Sequence, residues 1–334
     1  MFVGLELGRD PEWLECGMNF TIDLAKGGWE MRRRSLYQKL WAHHTNSIPE
    51  IRKIHYWQDL ARRRIVPIIK ERQRKLEEDP KYIPPSDFIT WNMEEGAKQS
   101  PPLSYEYQSR FQLELFLAAI HFNTMTITHI LYDLLAHSEY IEPLRAEISE
   151  LWNYDGSSAQ NLTKSDLHKL PKLDSFLKES QRLSLPRLVA IDRVVQDPAG
   201  LTFNDGLHLP YKTYIAFNSY GMSLDPTIYD DPTTFDGMRY YDMRQANPEQ
   251  MHRFAYAATD PRTSIAFGHG KYACTGRAWA SGVMKLLVAY LLMRYDVQPT
   301  EETEERLPNT MRGPQVNVDM TGRIMLRRRS KGSR

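Results

Sequence analysis

The chain has 334 residues, 43 basic and 42 acidic, for a net charge of +1. That balance gives no electrostatic case for nucleic acid as the main partner, and 41% hydrophobic with 11% aromatic residues excludes a mostly disordered chain. Two cysteines, Cys16 and Cys274, exclude a disulfide framework and point to a reduced compartment.

The N-terminal residues lack a basic head and a long apolar core, so they read as neither signal peptide nor anchor. Residues 11–25 are predicted to be helical, with Asp10 as N-cap. Residues 54–76 form a long pattern, basic outside, that Pro67 is expected to kink or divide. Five prolines between 79 and 105 predict a loop or a short-helix connection. Residues 108–137 carry no Pro or Gly and predict one uninterrupted helix, ~40 Å long. Ala118 and Ala119 at its middle would let a flat group approach the backbone. Further helices are expected at 141–152 and 171–183, a small β region at 188–217, little regular structure at 225–262, and an amphipathic helix at 277–295. The most apolar run, 286–293, falls short of the ~20 residues of a membrane span. No transmembrane segment is therefore expected, and the basic tail 327–334 is expected to be frayed.

The chemistry concentrates in Phe267-Gly268-His269-Gly270-Lys271-Tyr272-Ala273-Cys274-Thr275-Gly276-Arg277. Glycines at 268, 270 and 276 permit tight turns and close approach of a bulky planar group. Cys274 sits just before a helix start, where backbone N–H groups and the helix dipole favour an anionic sulfur. A lone cysteine is more often a small buried hydrophobe. Zinc is disfavoured because no second Cys or paired His stands at ligand spacing, and a phosphate loop is excluded because no Gly-Lys-Ser/Thr follows.

The Phe-Gly-x-Gly-x-x-x-Cys-x-Gly-Arg pattern resembles the haem-binding loop of the cytochromes P-450. Three further resemblances stand in the family's order: Glu179-x-x-Arg182; a segment with Asp225-Pro226, Tyr229, Asp231-Pro232 and Phe235; and Phe235-x-x-x-Arg239-Tyr240. The wording looks closest to oxidases of filamentous-fungal secondary metabolism. The resemblance implies a mainly α fold with a small β region, a single domain over 1–334, and haem b with Cys274 as axial ligand. It implies that Phe267, Gly268, Gly270, Gly276 and Arg277 shape the haem loop, and that Glu179, Arg182 and Arg239 form a buried brace behind it. Read from spacing alone, Glu179 and Arg182 could equally be a surface pair.

The chain departs from the family pattern in three places. The long helix usually carries an acid and then Thr; here His121 and Phe122 stand there, followed by Asn123 and Thr124. A phenyl ring donates no proton, so either His121, Asn123 or Thr124 takes over proton delivery with water or the relay is lost. Where His or Arg usually binds a haem propionate the chain has Tyr272, and Arg193 in the β region is expected to supply charge. Complete relatives are also longer, which implies a chain lacking the anchor, the first helices and most of the N-terminal sheet. The function implied is oxygen insertion into an apolar small molecule, with electrons from NADPH-cytochrome P-450 reductase, in an intracellular protein, soluble or peripheral to the endoplasmic reticulum. An inactive remnant and a haem-thiolate protein with non-oxygenase activity stay open.

Overall fold

The computed structural model describes residues 3–35, 37–39, 48–152, 162–300 and 305–329. It is mainly helical with small sheets, as expected, and the chain packs as two compact units, residues 1–122 and 123–334.

In the first unit, α1 (Pro11–Arg32) starts where the Asp10 carboxylate accepts the N–H groups of Glu12 and Trp13 at 2.9 and 3.2 Å. Helix α2 (Pro49–Glu78) runs through Pro67 undivided. Proline removes one helical hydrogen bond, but the buried stripe Ile54, Ala61, Ile65 and Ile69 continues on both sides of it and packs the helix along its length. Helix α3 (Phe88–Ala97) begins at Asp87, whose carboxylate accepts the Thr90 N–H and a two-pronged pair of bonds from buried Arg72 at 2.6 and 2.7 Å. With α4 (Tyr105–Phe116), these helices enclose a core of Trp13, Cys16, Phe20, Ile65 and Leu113.

The long helix is continuous but not regular α-helix throughout. Between α4 and α5 (Phe122–Ala136) lies a five-residue π-turn, Leu117–His121. A π-turn inserts one residue without breaking the helix and needs neither Pro nor Gly. The stretch Tyr105–Ala136 is long and apolar enough, by length and composition, to cross a membrane. Its C-terminal part instead carries buried polar side chains: Asp133 pairs with Arg306, and the Tyr132 hydroxyl donates to the Asp319 carbonyl at 2.9 Å.

The second unit is built on α5, α6 (Ile141–Leu151), α7 (Pro171–Leu183), α8 (Arg239–Ala246) and α9 (Arg277–Arg294). Ile130, Leu134, Leu144, Phe176, Leu177 and Val288 form its centre. Helix α8 and the 3-10 segment Pro248–Phe254 lie where little regular structure was predicted. Their apolar positions are too few to give a period, and α8 is held by Arg244, which pairs with the buried Asp174 carboxylate.

The β region is two antiparallel ladders. Strand β1 (Ala190–Val194) pairs with β4 (Tyr214–Phe217) in the register Arg193↔Ile215. The ladder β2 (Leu201–Thr202) with β3 (His208–Leu209) closes the turn between them. A second β region was missed: β5 (Tyr295–Pro299) pairs with β8 (Ile324–Arg328), and β6 (Thr310–Arg312) pairs with β7 (Gln315–Asn317). The tail is thus not frayed as far as residue 329. Arg327 and Arg328 lie in β8, and Arg329 donates its N–H to the Arg294 carbonyl at 2.9 Å and its side chain to Asp296. The ladder and the Asp296 carboxylate explain the difference; residues 330–334 of the tail lie outside the described ones.

Candidate haem-thiolate site

The Cys274 loop is held by its own backbone. The Cys274 N–H donates to the Phe267 carbonyl at 2.7 Å, the Gly268 N–H to Ile265, and the Ala273 N–H to Gly270 across a single 3-10 turn. The Arg277 guanidinium donates to the Cys274 carbonyl at 2.8 Å. The loop needs left-handed backbone at Gly268 (φ +74°) and Gly270 (φ +59°). At Gly268 a Cβ would also lie 3.1 Å from the Tyr272 carbonyl oxygen, whereas at Gly270 it would meet nothing within 4 Å. Gly276, the residue before α9, has φ −84°, open to any side chain. The ring of Phe267 packs against buried Tyr256 at 5.6 Å between centroids.

The two cysteines are sharply different. Cys16 is buried, its thiol pushed up to about 12 by burial and bonded to the Trp57 carbonyl at 3.4 Å. Cys274 is exposed. Only the second has room for a ligand. An accessible thiol, a loop with no side chain at Gly268 or Gly270 and open space over Gly270 fit a planar macrocycle approaching the sulfur. Among the described residues no group of three His, Cys, Asp or Glu side chains could hold a bare metal ion, so the donor set suits a group that brings its own equatorial ligands.

Arg193 and Tyr272 lie against each other. The Arg193 guanidinium lies 4.3 Å from the Tyr272 ring centroid, and Tyr272 is 67% exposed. A cation on a phenol face presents charge and a hydroxyl side by side, a pair suited to a carboxylate.

Glu179 and Arg182 are not a surface pair. Glu179 is 0% exposed and Arg182 4%. Arg182 binds the carboxylate in two-pronged fashion at 2.6 and 2.8 Å, and Arg239 adds a bond at 3.1 Å. The carboxylate also accepts the Asp236 N–H at 3.1 Å. The outer faces of the two guanidinium groups bind carbonyls of Ser223, Asp230, Pro232 and Thr234. The charge is therefore fully satisfied while holding an irregular segment in place.

Sequence reasoning missed two further buried polar clusters. Asp174 receives Lys285 at 2.5 Å, the Tyr256 N–H at 2.8 Å and Arg244. Nearby Lys178, wholly buried, is pushed down to about 8 by burial and donates to the Ala255 carbonyl. The second cluster joins Asp133, Ser180, Ser184, His129, Arg306 and Asn309. No local spacing signals either one, because the bonds that assemble them join segments distant in the chain.

His121 ends the π-turn, half-buried, with burial lowering its imidazole's affinity for a proton. Asn123 and Thr124 lie in the first turn of α5.

A helical fold with small antiparallel ladders, an accessible cysteine on a glycine loop and a buried Glu-Arg-Arg brace defines a haem-thiolate protein class. The family model for cytochrome P-450 matches residues 32–318, and the chain belongs to that family, whose cofactor is haem held by a cysteine. It is 37% identical over 335 residues to the cytochrome P-450 monooxygenase AN1598 of Emericella nidulans, covering 98% of this chain and 59% of that protein. It is 34% identical to the cytochrome P-450 monooxygenase braC of Annulohypoxylon truncatum, covering 98% and 64%, and 34% identical to paxP of Penicillium paxilli, covering 99% and 62%. The chain spans about three-fifths of the length of these relatives.

Proposed function

We propose that Cys274 ligates haem iron and that the chain takes part in monooxygenation of an apolar small molecule in fungal secondary metabolism. In that reaction one oxygen atom of O2 enters the substrate, and two electrons and two protons reduce the other to water. The observation that carries the reading is the exposed Cys274 on a glycine loop, in contrast to the buried Cys16. Haem bound through a thiolate supplies an iron that binds dioxygen and favours O–O cleavage.

The chain's own residues would then divide the work. Gly268 and Gly270 keep side chains off the ring, and Phe267 and Arg277 fix the loop at both ends through the Cys274 backbone. Arg193 and Tyr272 bind a propionate. Glu179, Arg182 and Arg239 hold the segment 223–239. Residues 185–189 face the substrate. His121, Asn123 or Thr124 moves protons. NADPH-cytochrome P-450 reductase supplies the electrons, and the protein works inside the cell, soluble or peripheral to the endoplasmic reticulum. The continuous family match from 32 to 318 supports a single functional domain.

A second reading has one specific support. Phe122 stands where a proton-donating Thr is expected and is 47% exposed. A haem-thiolate protein with an activity that needs no proton delivery fits that substitution.

The test is haem titration of the purified chain, followed by dithionite and carbon monoxide. A thiolate-type Soret band supports the reading, and failure to take up haem contradicts it. Normal haem uptake without NADPH-driven oxygen consumption, reductase present, favours the second reading.

A further inference from the structure

The cluster around Arg306 joins the end of α7 to the stretch that precedes β6. Arg306 donates to Asp133, to the Ser184 hydroxyl at 2.7 Å and to Asn309 at 3.1 Å. Asn309 donates to the same hydroxyl at 3.2 Å, and Ser180 donates to the other oxygen of Asp133. Asp133, Ser180 and Ser184 are buried. Two neighbours of this cluster matter. Ser184 ends α7 and is followed directly by residues 185–189. Asn309 is followed directly by the β6–β7 hairpin.

The two stretches also meet each other. The Leu188 N–H donates to the Pro314 carbonyl at 2.8 Å, and the Val316 N–H to the Pro186 carbonyl at 3.3 Å. Leu188 and Val189 are half-buried apolar residues, and Met311 on the hairpin is exposed. A backbone-to-backbone seam of two bonds is weak by itself, because each bond replaces one the same group makes with water in the unfolded chain. The charged cluster, anchored on buried Asp133, fixes the start of both partners.

The geometry points to Arg306, with Ser184 and Asn309, as a positioning unit that sets substrate selectivity. It holds residues 185–189 in register against the 310–317 hairpin and so fixes the wall that a bulky apolar ligand meets. This rests on the proposed haem site only for its ligand consequence; the positioning itself does not need haem.

The experiment uses Ser184→Ala, which removes the shared hydroxyl, and Ser184→Thr, which retains it. Backbone hydrogen exchange on the haem-free protein reads the positioning. The amides of Leu188 and Val316 are expected to exchange at least tenfold faster in Ser184→Ala, to recover in Ser184→Thr, and to leave the amides of α9 unchanged. On the haem-loaded protein, Soret shifts with imidazole and with 4-phenylimidazole read the wall. Imidazole affinity should stay within twofold, while 4-phenylimidazole weakens about tenfold. Unchanged exchange at Leu188 and Val316, or equal acceleration throughout the unit, overturns the proposal. Local acceleration with both imidazoles weakened equally overturns its selectivity claim. A parent that gives no Soret shift with imidazole sinks the haem reading and, with it, the selectivity claim, while the exchange result still decides the positioning.

Discussion

At the scale of single residues, Glu179 and Gly268 bear the clearest costs. Glu179 faces two guanidinium groups with no water between them, so removing it strands two buried charges. Glu179→Ala is predicted to destabilise the protein by about 3–5 kcal/mol and to abolish haem uptake. A denaturant titration and the haem absorbance of the purified variant check this. Gly268 is bound by conformation and space together. Gly268→Ala should cost about 1–3 kcal/mol of stability, read by the same titration, and a neutral result would mean the loop can relax.

At the scale of elements, the turns of the Cys274 loop and the Glu179–Arg182 pair were legible because each is compact in sequence. Six motif positions fall within residues 267–277, and Glu179 and Arg182 are one helical turn apart. Their burial was not legible: the Glu-Arg spacing is the same on a surface helix, and only the carbonyls of residues 223–234 decide it. The π-turn left no mark, since Leu117–His121 contains only residues a plain α-helix would accept. The C-terminal ladder was missed for another reason. Strands β5 to β8 have three to five residues and mostly exposed side chains, so no alternation develops. The ladder matters nonetheless. Asp296 on β5 gathers Arg145, Arg327 and Arg329, and Arg145 also caps the Leu292 and Tyr295 carbonyls at the end of α9. Ending the chain at residue 323 removes β8 and two of the three arginines. The thermal midpoint should fall by at least about 4 °C, measured by circular dichroism, and an unchanged midpoint would show that β5 does not need its partner.

At the scale of the whole molecule, stability should depend on acid in a way traceable to His129. Burial, and then the charge of Arg306, push its imidazole down to about 4 from an ordinary 6.5. The folded protein therefore binds fewer protons than the unfolded chain between those values, and stability rises with pH across that window. Stability should be full above about pH 6.5 and decline as pH falls toward 4, by up to about 3 kcal/mol from this group. His129→Gln should flatten that part of a stability-against-pH profile; an unaltered slope between pH 6.5 and 4 would contradict the assignment.

The central claim is a sulfur–iron bond at position 274, and the two cysteines allow it to be tested within one protein. The measurement is the reduced, carbon-monoxide-bound spectrum of haem-loaded Cys274→Ser beside Cys16→Ser and the parent. The account predicts a thiolate-type Soret band in the parent and in Cys16→Ser, and its loss in Cys274→Ser. The same band in all three proteins would contradict it.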